Sequence, residues 1–469
     1  MEQRLTERNV KPNGVIHLGE MLFGYLIGPF GALLSYGIFT SILQNYLTDV
    51  LRLDLSFLSG LQLVSTVLIV AANLVVGQLI ERTRSLWGKA RPWILLSALL
   101  LSVASLLMFI VPGPQTARYV WIAVAYNLYY SLAYPIYNTA NSALVSLSTR
   151  NSQERSKLAS FTNIAQLGTM GVGSMLFPML VSFALKDDQR LWFLSMLGVA
   201  AFGMLTMLLQ FRFTRERITE DNRGKGEQDG SVQSGSSLKA QLRAVTDERW
   251  WWVIIVFYLL FQFAGAMKNS SMSYFCKWLI DDSFLSGADA WGVAQSLLGA
   301  LGAIPMAVAA LFVVPLCNRF GKRDVVFAGM VIGVVGGIIA GCAGGNIAGV
   351  AVGVAIKCLG SAPACYMILA MLADVIDHIE GVRGIRTDGL TMSIYSSIMV
   401  AATPVCNAVF SSLLAMSGYD QSLTVGVGVQ SASARAAIGA SYIWVETVAY
   451  AVCGMLILFW NVERRRRKS

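Results

Sequence analysis

Tyr126, Tyr130, Tyr134, Tyr137 and Asn141 follow one another in steps of four and three, the spacing that lines residues along one face of a helix. Asn127, Asn138 and Ser142 flank that face. Phenol rings lie well against C–H surfaces, and amides and hydroxyls bond to hydroxyls, so the stripe suits a polyhydroxylated molecule such as a sugar. Helix–helix packing, with the outermost tyrosines as interfacial anchors, would use the same residues. Thr162, Gln166 and Thr169 form a second polar face, and Tyr36, Thr40 and Gln44 a third. Short hydroxyls on these faces could instead bond back to their own helix.

Three ionisable residues stand in apolar surroundings: Lys268, Lys357 and Glu446. A charge at that depth is costly and faces protein or water, usually with a partner. Two readings are open: a Lys–Glu pair that holds helices together, with Lys357 its more natural member, or amines that meet an anionic ligand, with Lys268 the more natural anchor. Lys268 shares a face with Gly265 and Met272, beside a polar face of Tyr258, Gln262 and Asn269. Tyr366, Tyr395, Asn407, and Trp291 with Gln295 serve a ligand or packing equally well.

The elements that position these residues are membrane spans. Of 469 residues, 55% are hydrophobic and only 13% charged, too few charges to cover a soluble protein of this size. The apolar residues fall in blocks of about twenty, the length that crosses a bilayer. We predict twelve helices, over 21–45, 57–80, 93–112, 119–147, 158–185, 191–211, 250–279, 291–316, 325–343, 346–372, 390–416 and 440–462. Small residues are frequent in them, as in the Gly-rich run 329–345, and allow helices to approach closely.

The net charge of +9 sits between the blocks, which argues for membrane topology and against a nucleic-acid partner. All but eight of the 36 Lys and Arg fall in the amino terminus, the even-numbered gaps and the tail 464–468, so both termini are expected in the cytoplasm. The polar amino terminus, with Arg4, Arg8 and Lys11, has no signal-peptide pattern, and the first span is read as its own signal anchor. Residues 212–249 read as a cytoplasmic linker between a six-helix bundle over 1–211 and another over 250–469. Seven scattered Cys show no metal or disulfide spacing. His17 and His378 flank spans, and no GxSxG or phosphate loop occurs, so an enzyme is not expected, nor a cofactor. The chain is expected to be monomeric in the inner membrane.

The gap after the second span, ERTRSLWGKARPW at 81–93, is echoed after the eighth by NRFGKRD at 318–324. Related halves packed about a central axis would repeat in this way. With TRNSQERSKL at 149–158 and ADVIDHIEGVRGIRTDG at 373–389, these motifs resemble the glycoside-pentoside-hexuronide:cation symporter family. The resemblance runs over nearly the whole chain, from the TDV at 48–50. It implies an all-α major facilitator fold of twelve helices in two pseudo-symmetric bundles, with sugar uptake as the usual activity. It also adds Asn138 and Ser142 as positions that meet substrate, and it puts Thr162 or Asn163 where the family has an Arg on the fifth helix.

Arg82, Arg84, Lys89 and Arg91 could bond free helix-end carbonyls or bridge to Asp374 and Asp377 as a gate; alternatively they only set topology. Where the resemblance implies cation-site carboxylates, this chain has Leu33, Ile69, Asn73 and Asn138, and Val400 stands near the position of a Lys. A hard cation wants charged oxygen ligands, so sodium coupling is the least expected, and a coupling proton or facilitated diffusion is favoured. The substrate expected is a sugar, glycoside or sugar acid carried by alternating access; the alternative is a lysolipid or other amphiphile.

Overall fold

The computed structural model describes residues 16–217, 238–281 and 291–460, apart from 86, 150, 151, 187, 385, 386 and 424. The amino-terminal residues 1–15, the linker stretch 218–237 and the basic tail lie outside the described residues. Among those described, the helices join into twelve rods. They are α1 (Glu20–Leu43, continued by Tyr46–Val50), α2 (Leu55–Arg82), α3 (Arg91–Leu107), α4 (Gln115–Asn127, Leu128–Ala133 and Tyr134–Ser148), α5 (Ser152–Leu180 and Val181–Leu185) and α6 (Gln189–Phe213). After a short helix, Leu238–Thr246, follow α7 (Arg249–Trp278), α8 (Trp291–Phe320), α9 (Lys322–Cys342), α10 (Ile347–Arg383), α11 (Asp388–Met416) and α12 (Ala432–Leu458). Ten are long and apolar enough to cross a membrane, and α3 is a shorter apolar helix. The remaining rod, α4, is broken into three pieces by wide π-helical turns over Leu128–Ala133, just before Pro135, whose missing N–H cannot close the regular ladder.

Several helices outrun their predicted spans, α10 and α12 the furthest, because a hydropathy window ends with the apolar run, whereas a helix does not. Helix α10 continues past residue 372 through Asp374, Asp377 and Glu380, and stops at Gly384 with φ 65°, a conformation open to glycine. Helix α12 begins at Ala432, ahead of the predicted 440, where the Ser431 hydroxyl accepts from the Ala434 N–H at 3.1 Å.

The chain forms two compact units. The first holds the residues up to Leu43, then Leu63–Phe177, and α6; the second holds Gln44–Gln62, Pro178–Phe183 and all the described residues from α7 onward. In the first, α6 packs against α1 and α3; in the second, α9 packs on α10 and α12, and α7 on α11 and α12. The α9–α10 contact is backbone to backbone. A methyl at Gly336 would stand 2.7 Å from the Gly353 carbonyl oxygen, and one at Gly353 equally close to that of Gly336. Such approach lets two membrane helices associate without a solvent-driven hydrophobic term. It also seats Lys357 firmly, one turn beyond Gly353.

Candidate functional site

In the first unit the α4 stripe divides into two. Tyr137 and Asn141 are fully buried: the Tyr137 hydroxyl donates to Gln210 Oε1 at 2.9 Å, and Gln210 Nε2 donates to Asn141 Oδ1 at 2.8 Å. Tyr126 and Tyr130 are also buried, with ring centroids 4.6 Å apart. Within the regular helix Tyr134–Ser148 the row Tyr134, Asn138 and Ser142 runs beside Tyr137 and Asn141, and the latter two are the ones that pack, so one sequence stripe becomes a packed part and a presented part.

The presented part is Tyr134, Asn138 and Ser142. Tyr134 stacks on Tyr36 of α1 at 4.2 Å between centroids, both rings half-buried. Asn138 is half-buried, Ser142 is exposed, and the Ser142 hydroxyl donates to the Asn138 carbonyl at 2.9 Å. On α5, Asn163 is exposed and Gln166 half-buried, whereas Thr162 is buried and donates to the Leu158 carbonyl of its own helix at 3.1 Å. Thr40 likewise donates to the Gly37 carbonyl at 2.9 Å. Ser35, which the sequence reading passed over, bonds Tyr129 at 2.8 Å, and Gln210 is an amide hub signalled only by its place in an otherwise apolar span.

The second unit holds charge in the middle of its spans. Lys357 Nζ lies 2.5 Å from Glu446 Oε2, and the Tyr450 hydroxyl donates to Glu446 Oε1 at 2.7 Å. Lys268 Nζ stands 3.5 Å from Glu446 Oε1 and 4.0 Å from Cys358 Sγ. The three ionisable residues named from sequence therefore meet, from α7, α10 and α12, with Lys357 and Glu446 buried and Lys268 half-buried. Asn269 is exposed next to Lys268, and Asn407 accepts from the Ser270 hydroxyl at 2.5 Å. Tyr366 packs against the apolar cluster of Ala309, Val313, Cys317, Val325 and Ala362.

Asn138, Asn163, Gln166 and Asn269 share one property. Each lies more than two turns from either end of its helix, and the side-chain amide has no hydrogen-bond partner among the described residues. A half-buried or exposed amide at that depth needs a polar ligand or water, because hydrocarbon satisfies neither its donors nor its acceptor.

A further polar cluster in the second unit joins the end of α1 to α7 and the chain after α11. Lys277 Nζ donates to Asp49 Oδ2 at 2.6 Å and to Asn45 Oδ1 at 2.8 Å, and Asn45 Nδ2 donates back to Asp49 Oδ2 at 3.0 Å. Tyr419 donates to Asp49 Oδ1 at 3.1 Å. Burial and the nearby Asp49 charge push the Tyr419 phenol well above its ordinary range, so it stays a donor throughout physiological pH. Gln44 is committed as well, to Ser411 at 2.7 Å and to Gln62 at 2.7 Å.

The basic loops are joined within their own units. The N–H groups of Lys89, Ala90 and Arg91, at the start of α3, donate to the Glu216 carboxylate at 2.7, 2.8 and 2.9 Å. This is anion binding at a helix N-terminus, and Gly88, at φ 106°, lies so close to Glu216 that a side chain would collide with it. The Arg91 guanidinium donates to the Phe211 carbonyl at 2.7 Å, and Arg217 forms a two-pronged pair with Glu20. In the second unit Arg323 donates to the Leu458 carbonyl at 2.6 Å, and Lys322 pairs with Asp374 at 2.5 Å. Of the gate residues named from sequence, Arg91 and Asp374 thus have partners inside their own unit, and Arg84 and Asp377 are exposed. Among the described residues no group of three or more His, Cys, Asp or Glu could hold a metal ion.

Twelve helical rods among the described residues, six on each side of 218–237, with a Gly-and-basic turn repeated after the second and the eighth, define a major facilitator carrier. A solved bacterial homolog of the human lysosomal transporter Spinster, inward-facing and occupied, has this fold: TM-score 0.68 at 11% identity, over 95% of this chain and 96% of that one. The chain belongs to the family described as MFS/sugar transport protein, which it matches over residues 24–464. It is therefore a multi-pass membrane transporter and not an enzyme. Among its relatives, the isoprimeverose transporter of Lactiplantibacillus pentosus is 28% identical over 97% of this chain and 92% of that protein. The glucuronide carrier protein homolog of Escherichia coli (strain K12) is 21% identical over 85% of this chain and 84% of that protein.

Proposed function

We propose that this chain carries a sugar or glycoside across the cytoplasmic membrane by alternating access, as a symporter coupled to a proton or as a facilitator, and not with sodium. The observation that carries the reading is the set of unpartnered mid-span amides, Asn138, Asn163, Gln166 and Asn269, together with the stacked Tyr36–Tyr134 pair. Amide groups and aromatic faces are the two kinds of surface a sugar needs. The names of the two relatives point to the same chemistry.

The argument against sodium rests on the first unit, where the middles of α1 to α6 contain no Asp or Glu. A hard cation held there would have neutral oxygens alone. The distribution of Lys and Arg supports cytoplasmic termini. Purified protein in proteoliposomes, offered a panel of glycosides under imposed pH and sodium gradients, tests the reading. Uptake of at least one glycoside, raised by an inward proton gradient or unaffected by either gradient, is expected. Sodium-driven accumulation would overturn the coupling, and transport of lysolipids with no glycoside uptake would overturn the substrate.

A further inference from the structure

We infer that Lys268 anchors a carboxylate on the transported sugar, so that the preferred substrate is a sugar acid; the inference rests on the sugar reading above and adds the substrate's charge. The starting point is a count of charges around Glu446. Two ammonium groups, Lys268 and Lys357, face one carboxylate. The ammonium of Lys357 sits 2.5 Å from one of its oxygens, and the Tyr450 hydroxyl occupies the other at 2.7 Å. Glu446 is therefore satisfied without Lys268.

The geometry of Lys268 agrees with its being the spare member. Its distance to Glu446 is 3.5 Å, its one other polar neighbour among the described residues is the Cys358 sulfur at 4.0 Å, and its side chain is 19% exposed where Lys357 and Glu446 are 0% and 1%. A lysine whose purpose was to hold helices together would be drawn into the pair and covered. This one is left loosely held, partly open, and deep in its span. The spare positive charge at mid-membrane depth is unfavourable until an anion reaches it. A substrate carboxylate would bring the cluster of two amines and two carboxylates to neutrality, and would make a charge-assisted contact that no neutral sugar can offer. Lys357, fixed behind Glu446 by the close α9–α10 contact, keeps Glu446 from collapsing onto Lys268.

The test compares three sugars of one skeleton in proteoliposomes: a glucoside, the matching glucuronide, and its uronamide, in which a neutral amide of nearly the same size replaces the carboxylate. Wild-type protein is expected to take the glucuronide over the uronamide by about tenfold or more in KM, the scale of a hydrogen bond to a charged group. K268Q is expected to bring that ratio close to one, and K268R to preserve most of it. Equal handling of glucuronide and uronamide by the wild-type protein would overturn the inference while leaving the sugar reading intact, and this arm needs no variant to fold. A K268Q protein that loses all three sugars in proportion would overturn it too. No uptake of any of the three, with another sugar transported, would equally count against it; no uptake of any sugar would bring down the underlying reading first.

Discussion

The two units use one scaffold device and differ in the chemistry they keep in the middle of their spans. In the first, Arg91 in the opening turn of α3 donates to the Phe211 carbonyl near the end of α6; in the second, Arg323 in the opening turn of α9 donates to the Leu458 carbonyl at the end of α12. These are the third and last helices of each half, and both arginines follow a Gly-Lys step. The interiors then diverge. The first unit holds tyrosines and amides and no charge in the middle of its spans, whereas the second holds Lys268, Lys357 and Glu446. A duplicated frame can keep its helix-end clamps, which only need a guanidinium near free carbonyls, while its lining residues change freely.

The largest effect that tests this contrast is expected at Glu446. Glu446→Gln leaves the buried Lys357 ammonium, and the half-buried Lys268 beside it, without a counter-charge, and loss of one partner of a buried pair costs about 3–5 kcal/mol. The thermal midpoint of the purified protein should fall steeply, and the double variant K357M/E446L, which removes the innermost pair with apolar groups of similar length, should recover much of the loss. An unchanged midpoint for E446Q would mean that the charged interior contributes nothing to stability.

Next in size is Asp49→Asn. It removes the charge that Lys277 meets at 2.6 Å and weakens the acceptor for Tyr419, an interaction worth about 1.5–3 kcal/mol for a charged hydrogen bond. The exchanged variant D49K/K277D should regain part of that stability, and a double-mutant cycle of D49N with K277M reads the coupling directly. Independent, additive effects would show that the two residues are neighbours without being a functional pair.

What could be read from the chain, and what could not, follows the range of the interactions. The spans and the repeated turn were legible because apolar runs and Gly-basic motifs are local patterns. The polar end of α10 was not, since Asp374 and Asp377 end a hydropathy run without ending a helix. The stripe on α4 was read as one face because three-and-four spacing groups neighbouring rows of a helix; that Tyr137 and Asn141 pack, and Tyr134 and Asn138 do not, is decided by Gln210 on α6 and not by the spacing. Lys268, Lys357 and Glu446 were each visible as costly residues, but their convergence is set by packing of α7, α10 and α12. The Asp49–Lys277 pair joins residues 228 apart in sequence, a separation that no local pattern encodes.

A third prediction separates the two parts of that stripe within one helix. Asn141→Ala removes a buried acceptor from the Gln210 amide and should cost about 1–2 kcal/mol of stability. Asn138→Ala, one turn earlier, removes an amide with no partner among the described residues, so stability should change by less than about 0.5 kcal/mol. Its effect should appear as a several-fold higher KM for sugar. If Asn138→Ala destabilised the protein as much as Asn141→Ala and left KM alone, the presented part of the stripe would be packing as well.

The smallest expected effect bears on the clamps that the two units share. Arg91→Gln and Arg323→Gln each remove a guanidinium donor from one helix-end carbonyl, at 2.7 and 2.6 Å, in half-exposed surroundings, so each should cost about 1 kcal/mol. The comparison lies in their equality more than in their size. Arg91 also stacks over the Phe211 ring at 4.7 Å, and beside it Glu216 binds three backbone N–H groups, so the first unit has a second attachment at this point that should soften the loss. Glu216→Gln in the Arg91→Gln background removes that reserve and should bring the combined loss above that of Arg323→Gln alone. If Arg323→Gln is silent while Arg91→Gln is not, the clamps are unrelated contacts that happen to follow similar turns, and the case for a duplicated frame would rest on helix order alone.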